Sequence, residues 1–72
     1  MIKIHLSKLL GERRISQSRL SDLTGIRRAT INEMYNELVE RVNLDHLSKI
    51  CEVLKVDISD LLEYIPDKKS KD

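Results

Sequence analysis

The stretch LSDLTGIRRATINEMYNE, residues 20–37, constrains the fold more than any other part of the chain. Its apolar residues follow the three-and-four spacing of a helix up to Thr24, and the same spacing resumes directly after Gly25. Glycine accepts the left-handed backbone conformation that commonly closes a helix, because it has no Cβ to clash. The sequence therefore predicts two short helices joined by a tight turn at Gly25.

The size and composition of the chain suit a small helical domain. The chain has 72 residues, and a domain of that size buries only about 60% of its extended-chain surface. It contains no Phe or Trp and only two Tyr, so aliphatic side chains must supply the core. An apolar fraction of 40% beside a charged fraction of 35% is too apolar for a disordered chain. One domain with a narrow stability margin is expected.

Helical spacing extends over almost the whole chain and predicts five short helices. The first ends near Arg13–Arg14, the second runs from about Gln17 to Thr24, the third from Arg27 or Arg28 to Asn36, the fourth follows Asn43, and the fifth lies between Asp57 and Pro66. Residues on the predicted inner faces are Leu6, Leu9, Leu10, Leu20, Leu23, Ile26, Ile31, Met34, Leu44, Leu47, Ile50, Cys51, Leu54, Leu61, Leu62 and Tyr64.

Polar residues at the predicted helix starts support these bounds. Ser16, Asn43 and Asp57 can each cap a helix, because their side-chain oxygens accept from the free amides of the next turn. Before the first helix, IKI alternates in the manner of a strand and could pair with YIP near the other end. The expected fold is an all-α, five-helix bundle over residues 1–66, with this strand pair as an addition. The charged residues 67–72 are predicted to be a disordered tail.

Charge is distributed unevenly along the chain. Residues 1–43 hold eight basic and five acidic residues, for a net charge of +3. Residues 44–72 hold five basic and seven acidic residues, for a net charge of −2. Such a distribution fits a protein with one basic face, and it fits a solvated mixed surface equally well.

The sequence shows no residue pattern that would indicate catalysis, metal binding or membrane insertion. The single Cys51 cannot form an internal disulfide, and its helical spacing predicts a small buried hydrophobe. His5 and His46 are isolated and lack metal-ligand spacing, while Asp57 and Asp60 are explained by helix capping. No apolar run approaches the ~20 residues of a membrane span. We therefore expect a cytoplasmic, non-enzymatic protein without metal, cofactor, small-molecule ligand or membrane attachment.

The two helices around Gly25 meet the physical requirements of a helix-turn-helix, in which the second helix enters the major groove of DNA. Gly25 supplies the turn, and Ser21 is a small residue where the two helices cross. Apolar groups that can lock the helices at a fixed angle are Leu20, Ile26, Ile31 and Met34. This lock would convert the second helix into a rigid probe for a DNA groove.

The segment ISQSRLSDLTGIRRATINEMYN resembles the phage-repressor and Cro-like helix-turn-helix family, also called XRE-type regulators. The resemblance covers roughly residues 3–66, and LSKICEVLKVDISDLLEYIPD is similar to the end of very short, single-domain members. It implies the phage-repressor fold and sequence-specific binding to double-stranded DNA. It also implies transcriptional regulation, typically repression, in a bacterium, phage or mobile element.

Roles for individual residues follow from the resemblance. Arg28 is expected to donate two parallel bonds to guanine, while Glu33 accepts from cytosine or orients Arg28 through a salt bridge. The expected base contacts are Arg28, Ala29, Thr30 and Glu33, with Asn32 beside them. The expected phosphate contacts are Ser16, Gln17, Arg27, Asn36, Arg41 and Asn43.

The chain departs from the family at Arg27, where Ser or Thr commonly caps the third helix. Losing such a cap costs about 1 kcal/mol. A cation at a helix N-terminus adds about 0.3–1 kcal/mol of unfavourable dipole interaction. Neither cost helps folding, so Arg27 and Arg28 indicate a polyanion that binds at this helix end. The alternative is that they are two ordinary surface arginines in a helix-turn-helix used only for packing.

Partners other than DNA are less constrained by the sequence. A chain of this size contacts few base pairs, so a homodimer on a two-fold site is expected. Its candidate contact, which could instead close the monomer core, consists of Leu61, Leu62, Tyr64 and Ile65. An alternative function is an antitoxin-like or antirepressor protein-interaction module. The near-neutral net charge favours that alternative, together with the acidic residues Glu33, Glu37 and Glu40.

Overall fold

The computed structural model describes residues 1–66, and seven secondary-structure elements lie within this range. In chain order they are β1 (Ile2–Ile4), α1 (Leu6–Arg13), α2 (Gln17–Thr24), α3 (Arg28–Tyr35), α4 (Leu44–Leu54), α5 (Ile58–Leu61) and β2 (Leu62–Tyr64). The predicted five-helix bundle with a terminal strand pair is confirmed. The predicted tail at 67–72 lies outside the described residues.

All five helices contribute buried apolar side chains to one core. Because the chain has no Phe or Trp, this core is almost wholly aliphatic, as the composition predicted. Its members are Ile4, Leu6, Leu9, Leu10, Leu20, Ile26, Ile31, Met34, Leu47, Ile50, Leu54 and Leu61.

Three residues predicted to face the core lie on the surface instead: Leu23, Leu44 and Tyr64, of which Tyr64 is 67% exposed on β2. Leu23 is 44% exposed, because the inner face of α2 runs through Leu20 and Thr24. Thr24 can be buried since its hydroxyl donates to the carbonyl oxygen of Leu20 at 2.7 Å. Leu44 is 78% exposed: it continues the apolar stripe of α4, but as the first residue of that helix it extends past the core.

The turn between α2 and α3 is held by side-chain hydrogen bonds as well as by glycine. Gly25 has φ +76°, the left-handed conformation that was predicted, and its amide donates to the Ser21 carbonyl oxygen at 2.8 Å. The Ser21 hydroxyl donates to the carbonyl oxygen of Ile26 at 2.6 Å. The Ile26 amide in turn donates to the Thr24 hydroxyl at 3.2 Å. Ser21 therefore ties the turn together, a role beyond the small size that the sequence suggested.

The C-terminal part of the fold corrects the sequence prediction. The fifth helix was expected to continue towards Pro66 with Leu62 and Tyr64 on its apolar side, but α5 ends at Leu61. Residues Leu62–Tyr64 form β2, which pairs antiparallel with β1 in the register Ile2↔Tyr64 and Ile4↔Leu62. Alternating apolar residues on both segments suit one face of a strand pair. The strand predicted at 64–66 is therefore displaced by two residues.

Polar caps hold the helix starts as the sequence predicted. The Ser16 hydroxyl accepts from the Arg19 amide at 3.0 Å, and the Asn43 side chain accepts from the Asp45 amide at 2.8 Å. At the start of α5, the Asp57 amide donates to Asp60 Oδ2 at 3.0 Å. Cys51 on α4 is half-buried, and burial raises the pKa of its thiol, with a further contribution from the charge of Asp57.

Glu37 connects the end of α3 to the strand pair. Its backbone has φ +57°, an unfavourable conformation for a residue with a side chain, and it closes α3 where glycine is usual. Its carboxylate accepts from the Ile4 amide at 3.1 Å and from Lys3 Nζ at 3.4 Å. The Ile4 amide lies on the edge of β1 that faces away from β2, so Glu37 satisfies a donor that the strand pair leaves open.

We expect the stability contributed by Glu37 to depend on pH. The Ile4 amide, followed by Lys3, holds the pKa of the Glu37 carboxyl below its ordinary value of 4.5. A carboxyl whose pKa is lower in the folded state stabilises the fold above its unfolded pKa, and this stability is lost as pH falls through the folded pKa. Urea unfolding of the wild type and Glu37→Gln between about pH 6 and about pH 3 should show their difference shrinking with acid. A constant difference over that range would contradict the assignment.

Candidate nucleic-acid interface

The helix α3 packs one side on the core and presents the other to solvent. Ile31 and Met34 are buried, so they fix the orientation of the helix. Arg28, Ala29 and Glu33 are exposed, as expected for base contacts. Thr30 and Asn32 accompany them, Thr30 half-buried and Asn32 exposed. An exposed helix at this position is the geometry that a helix-turn-helix requires.

The N-terminus of α3 lacks a side-chain cap. Arg27 occupies the N-cap position, and its side chain makes no capping hydrogen bond. The free amides of a first helical turn carry partial positive charge. Arg27 and Arg28 are both exposed, and neither forms an ion pair with another residue of the described chain. Amides and guanidinium groups therefore form one electropositive helix end that has no ion-pair partner among residues 1–66.

Gln17 and Asn32 connect the first turn of α2 to the exposed side of α3. Asn32 Nδ2 donates to Gln17 Oε1 at 3.2 Å. The bond leaves the amide nitrogen of Gln17 without a partner among residues 1–66, so it can still donate to a ligand. Because the two residues are fifteen positions apart, no local sequence signal predicted this contact. Gln17 therefore positions Asn32 in addition to any contact of its own.

A polar cleft separates α3 from the start of α4, and we call it the α3–α4 cleft. Its polar lining brings together four residues from the predicted site, and apolar side chains lie beneath them. His46, which has no metal-ligand spacing in the sequence, also lies in this cleft. No sequence pattern predicted that position for it. The lining residues are Thr30, Glu33, Met34, Val39, Arg41, Val42, Asn43 and His46.

Several predicted contact residues already have internal hydrogen-bond partners. Asn36 Nδ2 donates to the carbonyl oxygen of Asn32 at 3.0 Å and closes the end of α3. Asn43 caps α4, as described above. Glu33 and Arg28 form no ion pair with each other or with other described residues, so the salt bridge considered for them is not made in the free protein. Arg28 is therefore unengaged and exposed.

Residues 1–66 contain neither a membrane-spanning helix nor a cluster of metal-ligating side chains. No helix in this range is long and apolar enough to cross a membrane. The same residues contain no group of three or more His, Cys, Asp or Glu side chains that could hold a metal ion. His5 instead bonds to Glu63, with 2.6 Å between Nε2 and Oε1, which connects the two strand segments.

Two helices joined at a glycine turn, the second held outward with an electropositive N-terminus, define a helix-turn-helix DNA-binding domain. The model of the Cro/C1-type HTH DNA-binding domain family matches residues 5–67. The chain belongs to this family, so the resemblance found in the sequence is confirmed.

Two known proteins illustrate the likeness. The uncharacterised HTH-type transcriptional regulator YozG of Bacillus subtilis (strain 168) is 32% identical over 66 residues, which cover 92% of this chain and 79% of YozG. A crystal structure of a candidate DNA-binding protein from Bacteroides fragilis superposes with a TM-score of 0.77 at 25% identity. That match covers 88% of this chain and all of the other. The structural match and the family match therefore agree with each other.

Proposed function

We propose that this protein is a repressor-like transcriptional regulator that reads double-stranded DNA through α3 and acts as a homodimer. One observation carries the proposal: an exposed helix begins without a cap and with two unpaired arginines. Phosphates or guanines would supply the missing counter-charge and acceptors. In a bacterium such a regulator acts in the cytoplasm, where the DNA is, and it needs no catalytic group.

Base contacts are expected on the exposed face of α3, and phosphate contacts are expected around it. Arg28, the first residue of α3, and Glu33, farther along the helix, are both exposed, so they suit contacts with base edges. Arg41 and Asn43 line the α3–α4 cleft beside that face, and they suit the flanking phosphates. Gln17 and Ser16 lie at the start of α2, whose amides also favour an anion.

The length of α3 supports a two-fold arrangement on DNA. Eight residues of helix span about 12 Å, so one copy reads only part of a major-groove face. Two copies would read half-sites that are about 34 Å apart on the duplex. A homodimer is therefore part of the proposal.

The antitoxin-like or antirepressor alternative loses part of its support. It relied on acidic residues close to α3, among them Glu37. The Glu37 carboxylate is engaged by the Ile4 amide and by Lys3, so it is not a free charge beside the reading helix. Glu33 remains exposed on α3, where a carboxylate can also contribute to reading a base.

Selection of bound duplexes from a random pool, followed by salt titration on the selected sequence, tests the proposal. We expect a two-fold symmetric motif and an affinity that falls steeply with salt, with a slope of log K against log[salt] of about −0.9 for each phosphate neutralised. The variant Arg27→Ala serves as the comparison, because removing one phosphate contact should reduce the slope by about one. Absence of binding to any duplex at low salt, or a flat salt response, would exclude the DNA-reading function.

A further inference from the structure

An apolar surface lies beside the DNA-reading face, and we call it the α4–β2 surface: Leu44, Ile58, Leu62, Val42 and Ile2. Leu44, Ile58, Val42 and Ile2 are exposed, and Leu62 is half-buried. Isolated exposed apolar residues are ordinary on small proteins, but a contiguous set marks an interaction site.

The five residues are contiguous because two grooves meet at Leu62. One groove runs between α4 and α5, where Leu44, Ile58 and Leu62 line it together with Cys51. The other lies between the loop after α3 and the strand pair, where Ile2, Val42 and Leu62 line it. Leu62 therefore forms the ridge between the two grooves.

We infer that the α4–β2 surface binds the same surface of a second copy of this chain. The inference rests on the proposed homodimer and assigns its contact. A two-fold contact has to be self-complementary, so that a protrusion and a recess lie on one surface. Leu44, at 78% exposure, protrudes at the rim of the groove formed with Ile58 and Leu62. Leu44 of each copy can therefore enter the groove of the other.

Two pairs of opposite charges near this surface are satisfied within one copy. Lys49 Nζ lies 3.4 Å from Asp45 Oδ2 on the exposed side of α4, so those charges are paired within one copy. At the strand pair, Lys3 is likewise paired with Glu37. When two identical surfaces meet, unpaired charges would face like charges and repel. Glu40 lines the groove of Ile2 and Val42 and forms no ion pair with a described residue. The groove that receives Leu44 is lined only by uncharged residues, so the close contact between two copies is assigned there.

The position of the surface is also suitable for a DNA-reading dimer. Val42 lines the apolar groove on one side and the α3–α4 cleft on the other. The α4–β2 surface therefore begins where the DNA-reading face ends. A copy bound there places two α3 helices on either side of the two-fold axis.

The structure revises the set of residues that the sequence suggested as the dimer contact. Leu61 is fully buried, so it closes the monomer core and cannot contact a partner. Leu62 belongs to the surface, and Tyr64, at 67% exposure, extends it beside Ile2, its partner in the strand register. The new members are Leu44, which the sequence placed in the interior, and Ile58, Val42 and Ile2, which were not in the predicted contact. The remaining predicted member, Ile65, is half-buried.

Sedimentation equilibrium of the full chain without DNA tests the inference over about 1–100 μM. We expect the wild type to dimerise and Leu44→Asp to weaken dimerisation by at least about tenfold. Aspartate suits the first residue of a helix, so the fold should persist. Ile58→Asp, at the first residue of α5, provides a second variant with the same reasoning. The control is Leu38→Asp, since Leu38 is 69% exposed and lines neither groove.

Each outcome decides the assignment. Loss of dimer in the Leu44 and Ile58 variants but not in the Leu38 variant supports the α4–β2 surface. A monomeric wild type overturns the assignment and would leave the surface to a different protein. Equal dimerisation by all three variants overturns it too. Because this measurement contains no DNA, its failure is distinct from failure of DNA reading, which the duplex selection reports.

Discussion

Replacement of Ile31 by alanine is expected to lower the free energy of unfolding by about 2–5 kcal/mol. Ile31 is fully buried on the inner face of α3, where it belongs to the core that fixes this helix against the rest of the bundle. The substitution removes the contacts of the larger side chain and leaves a cavity that the surrounding core refills only in part. Small domains have little stability in reserve. A large part of the population should therefore be unfolded at 37 °C.

Urea unfolding followed by helical circular dichroism measures this loss. Leu38→Ala is the matched control, because Leu38 is 69% exposed and outside the core. Its substitution should change the unfolding free energy by no more than about 0.5 kcal/mol. Similar losses for the two variants would mean that Ile31 does not lock α3 to the core. DNA binding by the Ile31 variant should fall in proportion to the unfolded fraction.

The features that the sequence predicted correctly have causes within a few residues of one another. Ser16 and Asn43 cap helices through amides two or three positions away. Gly25 closes α2 through a carbonyl four positions earlier, and the left-handed φ follows from the absence of a Cβ. Local hydrogen bonds of this kind leave a direct pattern in the sequence.

The features that the sequence did not predict depend on contacts between distant segments. The pairing of Ile4 with Leu62 ends α5 early and places β2 two residues before the predicted strand, and no residue between 58 and 66 signals that register alone. The Gln17–Asn32 bond and the Glu37–Ile4 bond are likewise contacts that only the folded chain creates. Helical spacing also placed Leu44 inside, because spacing gives the face of a helix but not where the neighbouring elements end.

The arrangement of the candidate site was predictable in part. The exposed face of α3 follows from the burial of Ile31 and Met34. The family resemblance, and not spacing alone, placed Arg28 and Glu33 on that face. The α3–α4 cleft could not, since it requires the path of the loop after α3. His46 lies there for that reason and not because of any pattern around it.

Arg28→Ala is expected to relax sequence preference more than it weakens binding overall. An arginine that donates two bonds to guanine contributes about 1–3 kcal/mol of discrimination, or about 5- to 150-fold between the right and wrong base. Arg28 is exposed and forms no ion pair with a described residue, so its guanidinium needs no internal bond broken before it binds. The loss should therefore concentrate on duplexes with guanine at one position of each half-site.

The variant to compare with it is Arg41→Ala, which removes an expected phosphate contact. Gln17→Ala is less suitable for this purpose, because Gln17 also holds Asn32 at 3.2 Å on the exposed side of α3. Affinities of both variants should be measured on the selected duplex and on duplexes with single base changes. Arg41→Ala should weaken binding to every sequence by a similar factor and reduce the salt slope by about one. If Arg28→Ala produced that same uniform loss, Arg28 would be a phosphate contact, and sequence reading would have to be assigned to the remaining exposed residues of α3.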